Sequence, residues 1–180
     1  MPTKLSPLAP DGFTTDRLDV QQWSDRITKP DGKRDLIAAL KSIMTPTVLA
    51  DLPPSMQLSR AKGAIAAWIA ARAGESDVYT ISEKNGDLIG LLILAIPNPQ
   101  APRPEVHLGY LLAQTAWENG YASELVLSLV QTLQHSTPLR LIGGVARRNP
   151  ASARVLIKAG FVLQPGQAET ETDSFALTLE

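Results

Sequence analysis

The spacing of apolar residues along the chain predicts four helices. Six matches to the three-to-four-residue repeat of an amphipathic helix lie between residues 122 and 133, so this helix is the best defined. Similar apolar faces predict helices over residues 36–44 and 58–72. A shorter helix is predicted after Asn149, because Pro150 suits a first helical turn.

Elsewhere the pattern changes to the alternation of β-strands, with apolar residues at every second position. It predicts strands over residues 13–23, 78–83, 88–96, 105–112, 139–146, 161–163 and 174–179. Asn85, Gly86 and Asp87 predict a tight turn that joins two of these strands into a hairpin. A second turn is predicted at residues 30–32, and a proline-rich loop at residues 45–56.

The order of these elements is β, α, α, β, β, β, α, β, α, β, β. It predicts an α/β domain with a mixed sheet, because the regular βαβ alternation of a dinucleotide-binding fold is missing. A length of 180 residues favours one domain with a sizeable core. We therefore predict a flexible N-terminal arm over residues 1–12 and a single domain over residues 13–180.

Composition narrows the range of functions. Lys and Arg number 17 and Asp and Glu 18, so a net charge of -1 argues against nucleic-acid binding through bulk electrostatics. The chain has no cysteine and two histidines, His107 and His135, which argues against a metal site. We recognise no signal peptide and no run of ~20 apolar residues, and so expect a cytoplasmic protein without a membrane partner.

Residues 116–130, AWENGYASELVLSLV, place one glycine, Gly120, directly before the best-defined helix. A helix N-terminus presents unpaired N–H groups and a partial positive charge, and a glycine there lets a ligand approach the backbone. The stretch therefore indicates an anion site, with a plain turn glycine as the simpler alternative. No P-loop Lys-Ser/Thr pair follows Gly120, which argues against an unrelated nucleotide-binding protein.

Three segments, in order, resemble the GNAT superfamily of N-acyltransferases. The branch typified by the ribosomal-protein N-terminal acetyltransferases commonly reads GYWL, a linker and WGxGYATEA, which is similar to LGYLLAQTAWENGYASELV here. Its second motif, NxxSxxVLEKxGF, is similar to NPASARVLIKAGF, and its first strand, TxRLxLR, is similar to TTDRLDV. The resemblance covers roughly residues 13–180.

The resemblance implies a GNAT-like mixed central sheet flanked by helices, with acyl-CoA between two splayed strands at residues 105–112 and 139–146. It implies acetyl-CoA as co-substrate and a pyrophosphate site on the loop, with contacts from Trp117, Asn119, Gly120, Tyr121, Ala122 and Ser123. Asn149 would contact the pantetheine arm. The Leu112 backbone N–H would bond that arm and polarise the thioester carbonyl.

Three positions depart from the family pattern. Glu118 stands where the first Gly of GxG is usual, and its carboxylate would repel phosphates unless it turns toward solvent. Trp117 replaces the Arg or Gln usual in the superfamily. Leu156 stands where many members carry a Tyr that protonates the leaving thiolate, and Ser152 is the nearest substitute. A thiol of pKa ~8.5 can also leave with little help.

Attack by an amine on a thioester needs a proton acceptor. Glu105 and His107 lie two residues apart on one predicted strand and face the same side as Gly109. His107 stands where many relatives carry Glu, and is our first candidate for a base or water-holding residue, with Glu105 second. The structural alternatives are a half-buried strand histidine and a solvated charge at a strand edge.

The predicted function is that of an enzyme: direct transfer of an acetyl group to a primary amine, on a protein N-terminus or a small molecule. Residues 35–72 and the loop after Ile96 would form the acceptor site. The alternative is a CoA-binding sensor or subunit without catalysis, which is favoured by Glu118, by Leu156 and by His107 in place of the usual Glu. Arg147 and Arg148 could meet the CoA 3′-phosphate or face solvent, and a homodimer is a further expectation from the resemblance.

Overall fold

A single eight-stranded sheet runs through the protein. The computed structural model describes residues 8–9, 11–135, 138–166 and 170–180. The strands follow the order β1-β2-β3-β4-β5-β6-β8-β7, with β5 and β6 parallel and every other neighbouring pair antiparallel. They are β1 (Phe13–Thr14), β2 (Leu18–Gln22), β3 (Asp77–Glu83), β4 (Leu88–Ala95), β5 (Glu105–Leu112), β6 (Leu139–Ala146), β7 (Val162–Leu163) and β8 (Thr172–Leu179).

Helices cover both faces of this sheet. They are α1 (Ser24–Thr28), α2 (Pro30–Ile43), α3 (Pro46–Leu49), α4 (Ala64–Glu75), α5 (Tyr121–Leu133) and α6 (Pro150–Lys158), with two single 3₁₀ turns at Pro54–Met56 and Gln114–Ala116. One core lies between the sheet and α5 and α6, and a second between the sheet and α2 and α4. In the second core Trp23 and Trp68 meet edge to face, with ring centroids 6.4 Å apart.

The predicted α/β class with a mixed sheet is confirmed. The strands predicted at Glu105–Leu112 and Leu139–Ala146 have those bounds, and the best-defined helix begins at Tyr121, one residue before its apolar face. These segments were predictable because each has one face fully buried. Leu125 and Leu129 of α5, for example, have no exposed surface.

The turn predicted at residues 30–32 is wrong, because these residues begin α2. Pro30 occupies the first helical turn, where its missing N–H costs no hydrogen bond. Gly32 serves close packing instead of a turn, since a Cβ at this position would lie 2.7 Å from the Arg26 carbonyl oxygen of α1. The loop predicted at residues 45–56 also contains α3, which Thr45 caps by accepting from the Val48 N–H.

The helix predicted over residues 58–72 begins later, at Ala64. Gly63 precedes it with a left-handed backbone, φ 78°, so Leu58 and Ala61 lie outside the helix. The strand predicted over residues 13–23 is in fact the two short strands β1 and β2, with Phe13 opposite Val20. The intervening turn is held by Thr15, whose hydroxyl oxygen accepts from the Leu18 N–H at 2.8 Å.

The described end of the predicted N-terminal arm packs against the sheet. Ala9 is buried, and its N–H donates to the hydroxyl of Tyr79 at 3.1 Å. Burial raises the pKa of that hydroxyl to about 12. Residues 1–7 and 10 of the arm lie outside the described residues. Within the described part of the chain, no helix is both long and apolar enough to cross a bilayer.

Candidate functional site

A gap opens in the middle of the sheet between β5 and β6. Their parallel register runs from Glu105 opposite Arg140 to Leu108 opposite Gly143 and ends there. The remaining halves of both strands stay in the sheet through their other neighbours, since residues 109–112 pair with β4 and residues 144–146 with β8. The two strands therefore splay apart, as the resemblance implied.

The backbone of Leu112 faces this gap. Leu112 lies opposite Gly90, and the next N–H, of Ala113, donates to the Ile89 carbonyl oxygen at 2.7 Å. This is the pattern of a non-hydrogen-bonded antiparallel pair, so the N–H and C=O of Leu112 point away from β4. The indole Nε1 of Trp117 donates to the Leu112 carbonyl oxygen at 2.9 Å, and the Leu112 N–H is directed into the gap.

The loop before α5 presents an open helix N-terminus. Gly120 is the N-cap residue, with φ 79°, and makes no side-chain cap. The N–H groups of the first turn, from Tyr121, Ala122 and Ser123, therefore lack an intrahelical acceptor and lie at the positive end of a thirteen-residue helix. Such a terminus fits the diphosphate of an acyl-CoA.

The rest of the loop is shaped by its own contacts. The Asn119 side-chain amide donates to the Trp117 carbonyl oxygen at 3.0 Å. Glu118, an exposed residue, has a left-handed backbone with φ 62°, a conformation that glycine adopts without cost. This accounts for the glycine that usually occupies the position, and Glu118 holds the same turn with a side chain open to solvent.

The turn between β1 and β2 holds this loop through Arg17 and Glu124, whose contacts we call the clamp. The Arg17 guanidinium donates from Nε to Glu124 Oε2 at 2.7 Å and from Nη1 to the Asn119 carbonyl oxygen at 2.9 Å. Glu124 also accepts from the Thr15 hydroxyl and from the Arg17 N–H. Burial alone would raise the pKa of Glu124, but these hydrogen bonds and the Arg17 charge lower it overall.

Tyr121 extends the clamp to the β3–β4 hairpin. The Arg17 guanidinium lies 4.4 Å from the centroid of the Tyr121 ring, within the range of a cation–π contact. The Tyr121 hydroxyl donates to Glu83 at the end of β3, a bond that raises the pKa of the phenol. Three segments thus hold the loop in place: β5 through the Trp117 side chain, the β1–β2 turn through Arg17, and the β3–β4 hairpin through Tyr121.

The first turn of α6 borders the gap from the other strand. Asn149 is its N-cap, and Asn149 Oδ1 accepts from the Ser152 N–H at 3.1 Å. The Tyr110 hydroxyl, from the splayed half of β5, lies 3.3 Å from Ser152 Oγ. Leu156 is buried and packs on Gly143, where a Cβ would come within 2.6 Å of Leu156 Cδ1.

The two candidate bases lie on the opposite face of β5. Along this strand Val106 and Leu108 are buried against α5, whereas Glu105 and His107 are exposed, so the predicted facing is confirmed. Arg140 Nη1 donates to Glu105 Oε1 at 2.6 Å, so this carboxylate is already engaged in an ion pair. A cavity of about 310 Å³ lies at the start of β5, lined by Pro97, Asn98, Ala101, Arg103 and Glu105.

Arg147 and Arg148 are both engaged in ion pairs. Arg147 Nε donates to Asp173 on β8 at 2.8 Å, and Arg148 Nε donates to Asp51 at 2.7 Å. Arg148 also donates to the Ala50 carbonyl oxygen. It therefore ties the segment after α3, part of the predicted acceptor region, to the loop between β6 and α6.

Sequence reasoning missed three contributors to this site: Arg17, Glu124 and Tyr110. The TTDRLDV motif marked the position of Arg17, and Glu124 lies in the first turn of the best-defined helix. Neither signal predicts that the two side chains meet. Tyr110 lies on the same strand as Glu105 and His107, and its hydrogen bond with Ser152 depends on how α6 packs.

Comparisons with known proteins agree with this architecture. The family profile described as "Acetyltransferase (GNAT) domain" matches residues 27–162. A comparison with curated protein sequences finds no match. In the part of the chain that the structure describes, no cluster of three or more His, Cys, Asp or Glu residues could hold a metal ion.

Solved structures share the fold at low sequence identity. Spermidine N-acetyltransferase from Vibrio cholerae, solved with CoA and spermine, has TM-score 0.68 and 12% identity, over 90% of this chain and 95% of its own. A GNAT-family acetyltransferase from Bacillus anthracis has TM-score 0.67 and 14% identity, over 91% and 94%. Sheet topology, splayed strands and family profile agree, and the chain belongs to the GNAT family of acetyltransferases.

Proposed function

We propose that this protein transfers an acetyl group from acetyl-CoA directly to a primary amine. The observation that carries the proposal is the gap between β5 and β6, which meets the N-terminal ends of both α5 and α6. An extended thioester can lie in such a gap. Its phosphates would then meet one helix N-terminus and its sulfur the other.

The co-substrate would be held mainly by backbone groups. The first-turn N–H groups of α5 would bind the pyrophosphate, and the Leu112 N–H would donate a hydrogen bond to the thioester or pantetheine carbonyl oxygen. Asn149 uses Oδ1 for its cap, so its contact with the pantetheine arm would come from Nδ2. Trp117 and Asn119 would act by shaping the loop.

His107 is the better candidate for the base. Its side chain is exposed on the strand face that also carries Gly109, where a built Cβ meets no atom within 4 Å, so an acceptor has room. Glu105, on the same face, forms an ion pair with Arg140, and it would orient the acceptor more than take its proton. An imidazole nitrogen can accept the proton that the attacking amine releases, directly or through one water.

For the acceptor substrate we propose its reacting group, a primary amine. The name of the Vibrio cholerae relative specifies N-acetylation of a polyamine, which supports an amine acceptor. The TTDRLDV and NPASARVLIKAGF motifs support the ribosomal-protein N-terminal acetyltransferase-like branch and hence a protein N-terminus. A cytoplasmic location and a homodimer stay predictions.

A charge placed at the proposed phosphate site tests the function. We expect Gly120→Asp to weaken acetyl-CoA binding at least about tenfold in calorimetric titration, because a carboxylate there repels the pyrophosphate. Asp tolerates a left-handed backbone and caps helices well, so the fold should persist. Gly63→Asp is the matched control, since Gly63 is also a left-handed N-cap, of α4, and should leave binding unchanged.

Release of free CoA in the presence of an amine panel then separates the candidate functions. CoA release with an amine supports the transferase, and binding without release for any amine supports the CoA-binding sensor or subunit. Equal acetyl-CoA affinity in Gly120→Asp and wild type contradicts the proposed phosphate site. An absence of binding in wild type contradicts both functions.

A further inference from the structure

A short segment after α3 connects the two walls of the gap on the sheet face opposite α5 and α6. It consists of residues 49–52, and we call it the bridge. Its two ends, Leu49 and Leu52, pack against the core that the sheet shares with α2 and α4. This core includes Leu111, which lies in the splayed half of β5. The bridge is therefore anchored on the β5 side of the gap.

Arg148 fastens the middle of the bridge to the β6 side. It lies two residues beyond the end of β6, directly before Asn149, the N-cap of α6. Its Nε donates to Asp51 Oδ1 at 2.7 Å, and its Nη2 donates to the Ala50 carbonyl oxygen. One side chain thus joins the bridge to the far wall of the gap, at the end where the two strands have separated.

The bridge and the residues after it are held together within their own layer. Gln57 Nε2 donates to the carbonyl oxygens of Leu49 and Leu52, at 2.7 and 2.8 Å. The indole of Trp68 donates to the Met56 carbonyl oxygen at 3.1 Å. These contacts shape the bridge, whereas the Arg148 contacts place it against β6. Loss of the Arg148 contacts should therefore move the bridge without unfolding it.

The bridge lies on the face from which an acceptor would approach. His107 and Gly109 alternate along β5 with Leu111, so all three share the face that carries the α2 and α4 core. A thioester in the gap that is open to water on this face can hydrolyse. The water oxygen then bonds to the carbonyl carbon and the C–S bond breaks, which yields acetate and the free thiol of CoA. Closure of a site suppresses this side reaction.

We propose that Arg148 is a positioning residue that holds the bridge across the gap, where the bridge orients the acceptor amine and keeps water from the acetyl thioester. The inference rests on the proposed acetyl transfer. It places the action of Arg148 on the acceptor side and not at the CoA 3′-phosphate. The side chains of Arg148 and Asp51 are 66% and 37% exposed. Exposed ion pairs add little to stability, so variants of this pair should fold.

Hydrolysis of acetyl-CoA without any amine tests this role, because it needs no acceptor. Arg148→Gln and Asp51→Asn break the ion pair from opposite sides of the gap. With saturating acetyl-CoA, we expect each variant to release free CoA about fivefold faster than wild type. The dissociation constant of acetyl-CoA should stay within about twofold of the wild-type value. Arg34→Gln is the control, because it removes the same charge from an exposed ion pair with Asp31 on α2.

An exchange of charges distinguishes positioning from a general disturbance of packing. Arg148→Asp and Asp51→Arg should each raise hydrolysis when made alone. The double variant restores opposite charges at the two positions and should return the rate at least about halfway to wild type. With the amine that gives the fastest CoA release in wild type, Arg148→Gln and Asp51→Asn should raise KM for the amine about fivefold. KM for acetyl-CoA should not change.

The outcomes separate this inference from the proposed function. Hydrolysis that is equal in wild type, Arg148→Gln and Asp51→Asn overturns the inference, while CoA release with an amine still supports acetyl transfer. Faster hydrolysis in both variants, without amine-dependent CoA release in wild type, supports the bridge and overturns the proposed function. Acetyl-CoA binding that weakens about tenfold in Arg148→Gln and not in Asp51→Asn indicates a contact between Arg148 and CoA, and also overturns the inference.

Discussion

Among individual residues, Glu124 has the strongest set of contacts near the proposed phosphate site. It accepts hydrogen bonds from the Thr15 hydroxyl, the Arg17 N–H and the Arg17 guanidinium, and its side chain is only 18% exposed. Exposed ion pairs contribute little to stability, but a carboxylate held by several donors contributes more. These hydrogen bonds join the β1–β2 turn to the first turn of α5, and so hold the loop before α5 in position.

Replacing Glu124 with Gln should make stability less dependent on pH. We expect the variant to lose about 1 kcal/mol of unfolding free energy near pH 7, since Arg17 remains half-exposed. The pKa of Glu124 is lowered below 4.5 in the folded protein, so its contribution is complete above that pH and disappears as pH falls through the folded-state value.

Urea unfolding between about pH 7 and about pH 2.5 checks this expectation. The difference between wild type and Glu124→Gln should shrink as the solution becomes more acidic. Glu75→Gln is the control, because the Arg72–Glu75 pair lies on one helix with Glu75 64% exposed. A difference that is constant across the range would contradict the assigned role of the carboxylate.

Among the secondary-structure elements, the close pairing of β4 with the splayed half of β5 depends on Gly90. Gly90 lies opposite Leu112. A Cβ on it would come 2.2 Å from the Leu111 carbonyl oxygen and 2.8 Å from a methyl carbon of Leu112. The first of these is a backbone atom that cannot move without shifting the strand. This pairing sets the direction of the Leu112 N–H and hence one wall of the gap.

Two glycine-to-alanine substitutions should therefore have opposite effects. We expect Gly90→Ala to lower the free energy of unfolding by about 2 kcal/mol or more, because β4 and β5 must separate to admit the methyl group. Gly74→Ala, in α4, meets no atom within 4 Å and should raise it by about 0.5 kcal/mol. Chemical denaturation measures both, and a neutral Gly90→Ala would show that the pairing can relax.

Over the whole molecule, two hydrophobic cores share one sheet. Trp23 and Trp68 report on the core with α2 and α4, while Trp117 lies by the α5 loop on the other side. The same strands carry side chains into both cores. If one core opens, its face of the sheet is exposed to water, and the strands that support the other core lose their packing. We therefore expect the chain to unfold in one cooperative transition, as a single domain does.

Matched unfolding curves test this cooperativity. In Trp117→Phe the tryptophan fluorescence comes from Trp23 and Trp68, whereas far-UV circular dichroism reports all helices and strands. We expect the two transitions to coincide in urea, with equal midpoints and slopes. A fluorescence transition that clearly precedes the loss of ellipticity would indicate that the layer of α2 and α4 unfolds separately.

Local patterns predicted much of this structure, and the exceptions have physical causes. Strands β5 and β6 and helix α5 were correct because burial on one face enforces a strict period. The turn predicted at residues 30–32 was wrong because Gly32 lies in α2, where a Cβ would clash with the Arg26 carbonyl oxygen of α1, and this packing role is visible only in the folded helix pair. In the sequence, a glycine that forms a turn cannot be distinguished from one that allows two helices to pack closely.

The α/β class, the order of the main elements and, through three motifs, the family could all be predicted from the amino-acid sequence. These properties follow from side-chain periodicity and short-range spacing, which the chain carries before it folds. Tertiary structure alone decided which side chains meet. Arg17 contacts Glu124 across 107 positions, Arg148 contacts Asp51 across 97, and Tyr110 contacts Ser152 across 42. No local period encodes such contacts, because they depend on strand register and on the direction in which each helix packs.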